Sequence, residues 1–278
     1  MKSLFLLFLI TYLLFSCGTS EKDKTSSSNS NEAKKTSGSS DNSDEKGKVW
    51  LSGLKIKKEK LKAEKCLDVP REEWMEEEPE PFCASIEVDL MKISLNDEEV
   101  ADKINSQLAY AITGKRNDTN IKAFVNKVKS LKNVEEALVE EFACSLLDSS
   151  SRLLVVGVNF YYMAYMAAHP GASMTVLNFD LESGSTIGLK EVLVEDYLKP
   201  LKGIVMKKFV KKHGKDGWDF TNANNFKLAK NVAIERKGLV FMYNSYEIGP
   251  YAAGAPEVHI TWEELKDLRK ENPYITFD

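Results

Sequence analysis

Residues 4–15 are almost continuously apolar behind a single lysine, Lys2, and the run stops at Ser16-Cys17-Gly18. From 18 to 48 the pattern inverts, and Ala33 stands alone among Ser, Thr, Asn, Lys, Asp and Glu. Order is expected from Val49 onward. Positions 49, 51, 54 and 56 alternate as a strand would over 49–57, and so do Ile86, Val88, Leu90, Ile93 and Leu95 over 84–95. Asn96 or Asp97 is placed to cap a helix carrying Val100, Ile104, Leu108 and Ile112 on one face. Two further helical patterns follow: Ile121, Phe124, Val125, Val128, and then Ala137, Leu138, Phe142, Leu146.

Residues 152–165 are apolar on both faces, as in a strand covered from two sides. His169-Pro170-Gly171 turns the chain into a second strand at 173–181, which predicts a hairpin. A helix over 196–212 would bury Leu198, Leu201, Ile204, Val205 and Phe209, and strands are expected at 231–234, 239–243 and 258–260. Thr261-Trp262-Glu263-Glu264 is a capping-box sequence that opens a last helix packing Leu265 and Leu268. The fold class is therefore α+β: two small antiparallel-sheet-plus-helix units packed together, at 49–150 and 151–278, after a disordered N-terminal tether.

Composition narrows the setting. With 43% hydrophobic and 29% charged residues the chain is an ordinary globular protein, and a formal charge of −4 with lysines spread among acids argues against a nucleic-acid partner. The apolar run is as long as a signal-peptide core and short of the roughly 20 residues that span a bilayer. Its end, Leu14-Phe15-Ser16-Cys17, resembles the lipobox of bacterial lipoproteins, with Phe15 departing from the usual small residue. That resemblance implies a signal peptide at 1–16, acyl chains on Cys17, and a tether to residue 48 that spans roughly 30 Å as a coil. The expected location is the cell envelope outside the cytoplasm, lipid-anchored to a membrane, the outer membrane first, with the face left open. Export also permits disulfides. Cys66 and Cys83 bracket a Pro-rich acidic segment and can close it, stabilising by about 3 kcal/mol, whereas Cys144 reads as a buried free thiol. No cysteine or histidine spacing suits zinc, and no cofactor is expected.

Residues 178–189 and, after the helix, Gly238-Leu239-Val240-Phe241 and Tyr246-Glu247-Ile248-Gly249-Pro250-Tyr251-Ala252-Ala253-Gly254 resemble the RsiV-type C-terminal domain. This is the outer domain of lysozyme-sensing anti-sigma-V factors and an accessory domain of the peptidoglycan deacetylase PdaC. The preceding region, 49–150, is similar to a PdaC-type domain in its order of elements. Met166-Ala167-Ala168-His169 stands where the family has a Gly-Gly-Ala-His stretch, without the glycines. The resemblance implies a non-catalytic binding module, with lysozyme, another cell-wall hydrolase or peptidoglycan as ligand.

The residues offer few catalytic groups. His169, His213 and His259 are far apart in sequence, Glu247 has no identifiable carboxylate partner, and no nucleophile elbow or phosphate loop accompanies them. An enzyme is not expected, although an unrecognised wall hydrolase is kept as a minor alternative. Binding candidates are Tyr246, Glu247 and Tyr251 in the 243–256 loop, His169, and an acidic stretch with Trp74, Glu76, Glu77 and Glu78 that would attract a basic partner. The bland readings are a double turn pegged by tyrosines and a solvated acidic loop. A structural or assembly lipoprotein that binds another envelope protein is the second functional reading.

Overall fold

The computed structural model describes residues 53–73, 75–116, 119–220, 222 and 224–276. The leader, Cys17, the tether, the first residues of the expected 49–57 strand and Trp74 lie outside the described residues. The described residues all fall in one compact unit. Among the described residues no helix is long and apolar enough to cross a membrane.

The architecture is α+β, with two sheets. Strands β1 (Lys55–Leu67), β2 (Phe82–Ser94), β3 (Leu138–Ser149), β4 (Leu153–Ala164) and β5 (Gly171–Asp180) form one five-stranded sheet in that order. Its pairs are antiparallel except β2–β3, which is parallel. A parallel pair needs a long crossover, here α1 (Glu98–Thr113), α2 (Ile121–Asn126) and two 3-10 turns. The second sheet is β6 (Asn231–Glu235), β7 (Gly238–Met242) and β8 (Glu257–Thr261), preceded by the single turn α3 (Leu189–Val192) and by α4 (Leu198–His213).

Helix α1 starts where the sequence places it. Asp97 Oδ1 accepts from the Glu99 and Val100 N–H groups at 3.0 and 3.2 Å, and Gly114, at φ +68°, ends the helix in the left-handed region. Three expectations are corrected. The segment with Ala137, Leu138, Phe142 and Leu146 is not a helix but β3, and Leu146 is exposed. The strand expected at 49–57 runs instead to Leu67, through KIKKEKLKAEK, because a free sheet edge tolerates and favours lysine. The capping box at Thr261 forms, with the Glu264 carboxylate accepting from Thr261 N–H at 2.8 Å and Thr261 Oγ1 from Glu264 N–H at 3.2 Å, yet successive turns follow rather than a helix. Leu265 and Leu268 are buried all the same.

Strand β4 feeds both cores, as its two apolar faces require. Leu154, Val156 and Val158 pack with α1 and α2, while Leu153 and Val155 pack with α4 and the second sheet. The boundary expected between residues 150 and 151 falls in the β3–β4 hairpin, inside the five-stranded sheet. Three asparagine amides join the free edge of β5 to the second sheet region by imitating peptide groups. Asn178 accepts from Ile234 N–H at 2.8 Å and donates to Val232 O at 2.9 Å, and Asn231 and Asn244 bond in the same way to the backbone of Met174 and Val176.

Candidate functional site

One end of the five-stranded sheet gathers most of the residues singled out in the sequence. The strand registers Cys66 with Cys83, Ser85 with Val139, Leu138 with Ala164 and Tyr162 with Gly171 bring the 68–81 loop, the start of β3 and the β4–β5 turn to the same edge. Cys66 and Cys83 are disulfide-bonded, closing the acidic loop at its base. They also lie with Glu64 in the one cluster of metal-ligand type among the described residues, but sulfurs already joined to each other are not available as thiolate ligands.

Ring contacts connect the parts. Phe82, at the end of the acidic loop, meets Tyr165 edge-on at 5.4 Å between ring centres. Four residues later in the β4–β5 turn, His169 stacks on Tyr251 at 4.3 Å and 21°, and Tyr251 in turn lies 5.7 Å from Tyr246. His169 Nδ1 is 2.9 Å from Pro170 O; since a carbonyl only accepts, Nδ1 carries the proton. Glu76, Glu77 and Glu78 are all exposed, and Glu78 pairs with Arg71 at 2.7 Å.

Two residues of this rim hold an uncommon backbone. Among the described residues Met166 and Tyr246 are the non-glycines with positive φ, at +59° and +66°, and they leave 79% and 62% of their surface exposed. A bulky side chain in the left-handed region costs of order 1 kcal/mol or more, and burial does not compensate it here.

The 243–256 loop divides into structural and presented residues. Tyr243 is buried and its hydroxyl donates to Lys227 O at 2.9 Å; burial, reinforced by the Glu247 charge, pushes its phenol well above the ordinary tyrosine range. Glu247 points inward, its carboxylate accepting from Lys230 N–H at 2.7 Å and Asn244 N–H at 2.9 Å. Gly249 lies so close to Trp218 that a Cβ would come within 2.8 Å of the indole. Two turns follow from Glu247 N–H to Asn244 O and from Gly254 N–H to Tyr251 O, so the double turn is real. Tyr246 and Tyr251 are the residues it presents.

Beside the loop a cleft of about 380 Å³ opens between the second sheet and the face of β3–β5 that packs on it, lined by Asn159, Tyr161, Met174, Met242 and Pro256, with Glu141 and Glu257 among its walls. Nothing in the sequence places Met242 or Glu257 beside Tyr161, since the packing of one sheet on the other decides that. A larger cleft of about 520 Å³ lies away from this rim, between α1 and the β1–β2 pair.

His213 and His259, far apart in sequence, meet at Glu257. His259 Nε2 is 2.9 Å from the Glu257 carboxylate and His213 Nε2 is 3.2 Å from its backbone carbonyl. The His259 hydrogen bond, together with the nearby Lys212 and His213 charges, outweighs burial and holds the Glu257 carboxyl below its usual range. Cys144 is a buried free thiol on β3, and burial pushes it up, away from reactivity.

Residues 190–263, which include α4 and the second sheet, match the family described as "Protein of unknown function (DUF3298)". No curated protein matches the chain. Among solved structures, a member of that family from Bacteroides fragilis aligns over 80% of this chain and 96% of its own at 18% identity and a TM-score of 0.61. Another from Pseudomonas aeruginosa PAO1 aligns over 79% and 97% at 16% identity and a TM-score of 0.57. These two likenesses establish a shared fold.

Proposed function

We propose that the protein is a lipid-anchored envelope lipoprotein, outside the cytoplasm, whose folded head is a non-catalytic module that binds lysozyme or another basic cell-wall hydrolase. The observation that carries this reading is the rim itself. Met166 and Tyr246 keep strained, solvent-exposed conformations beside the His169–Tyr251 stack, and strain held at an exposed aromatic edge is characteristic of recognition surfaces. The disulfide-closed loop with Glu76, Glu77 and Glu78 lies at the same end of the sheet and supplies charge that steers a basic partner. Residue by residue, the lysozyme-binding likeness of the 246–254 stretch then falls on Tyr246 and Tyr251 rather than on Glu247, which the backbone occupies.

Peptidoglycan is the second reading, favoured by the exposed ring of Tyr246 beside the half-buried ring of Tyr251, since sugars stack on such rings. The two are separated by measuring binding of the immobilised protein to lysozyme and to purified peptidoglycan over a salt series. Saturable lysozyme binding that weakens with salt and with Glu76→Lys, Glu77→Lys and Glu78→Lys supports the first. Salt-insensitive binding to peptidoglycan alone supports the second, and binding to neither overturns both.

A further inference from the structure

Helix α4 departs from the mixed charges of most of the chain. Residues 198–215 contain seven lysines and no acid, a charge of +7 within a chain whose total is −4, which leaves −11 on the remainder. Glu195 and Asp196 precede the helix and Asp216 follows it. The buried stripe is Leu201, Val205 and Phe209. Lysines on the shoulders are already engaged: Lys208 pairs with Glu264, Lys212 donates to Glu257 O, and Lys202 donates to Asn224 O.

The outward crest, opposite the buried stripe, is Lys199, Gly203, Lys207 and Lys211, spaced four apart, with Lys215 just beyond. All four lysines are exposed and none has an ion pair among the described residues. Like charges four apart weaken a helix, and so does an interior glycine. Gly203 has nothing within 4 Å of where a Cβ would sit, so packing does not demand it. The crest is thus poorly suited to stabilising its own helix and well suited to an anionic surface. Leu198, at the helix start, is 62% exposed rather than buried as its place in the apolar pattern predicts.

We infer that the crest of α4 docks the folded head on anionic lipid headgroups. The cations are all lysine, which act as hydrated point charges against a diffuse anionic surface, whereas nucleic acid is read best by the arginine fork, which α4 lacks. The contact needs no acyl chain, so it stands apart from the anchor proposed at Cys17.

The test is sedimentation of unacylated protein, residues 18–278, with vesicles of phosphatidylcholine alone or mixed with phosphatidylglycerol. Binding is expected only to the anionic vesicles. The triple variant Lys199→Glu, Lys207→Glu, Lys211→Glu is expected to lose at least about 100-fold of it, from roughly fivefold for each lysine near the surface. A control triple on β1, Lys55→Glu, Lys57→Glu, Lys58→Glu, makes the same change in net charge and is expected to retain most of the binding. No preference for anionic vesicles overturns the inference. So does an equal loss in both triples, or binding to a soluble polyanion such as DNA without binding to the vesicles. Circular dichroism of each variant confirms that the loss is not unfolding.

Discussion

Tyr246 leaves 62% of its surface in solvent, while the next residue, Glu247, turns its carboxylate onto two backbone N–H groups, so adjacent positions in one loop divide presentation from support. Glu247→Ala removes a charged acceptor from both donors and is expected to cost about 2 kcal/mol, lowering the melting temperature by about 4–8 °C. Thermal unfolding checks this; an unchanged midpoint would contradict the supporting role. Asp180 is a further carboxylate that the fold uses. Burial alone would raise its carboxyl, but hydrogen bonds from Arg152, Glu182 N–H and Ser183, with the Arg152 charge, hold it below the usual carboxylate range. A lowered folded pKa contributes stability that is complete above the ordinary value near 4 and is lost as pH falls from there through the lower folded value. The stability gap between the natural protein and Asp180→Asn is therefore expected to be about 1–3 kcal/mol at pH 7 and to shrink below about pH 4. Urea unfolding at pH 7 and pH 3 measures it, and a gap that does not change with pH would count against this account.

At the scale of elements, β1 and β2 are in direct register at Cys66 and Cys83, so the disulfide closes the loop that carries the acidic side chains. Replacing both cysteines by serine is expected to cost about 3 kcal/mol and to leave the sheet intact, with loop proteolysis the sensitive readout. This pairing was legible, because the two cysteines bracket a short Pro-rich acidic segment at a spacing that a disulfide can close. So were α1, the β4–β5 hairpin, α4 and the three strands of the second sheet, each of which has a strong period or a cap. Strand β3 was not. Its Leu, Glu and Ala residues favour helix in isolation, and only pairing with β2 and β4 decides otherwise. In the candidate site, Tyr246, Tyr251 and His169 were visible as residue types, but their stacking was not, because 82 residues separate His169 from Tyr251 and the asparagine bonds to Met174 help hold the two segments together. The same holds for His213 and His259 at Glu257.

At the scale of the whole molecule, charge is segregated between an acidic loop at one end of the large sheet and a basic helix packed on the small one. On the two proposals above, the first would meet a ligand and the second a surface. The claim on which this rests is that the rim is kept for binding rather than for stability. Its most direct test is the double variant Tyr246→Ala, Tyr251→Ala, with lysozyme affinity and thermal midpoint measured on the same sample. The account predicts affinity lowered at least about tenfold, as for the loss of aromatic anchors worth more than 1 kcal/mol, with a midpoint within about 3 °C of the natural protein. Unchanged affinity, or a midpoint that collapses together with binding, would contradict it.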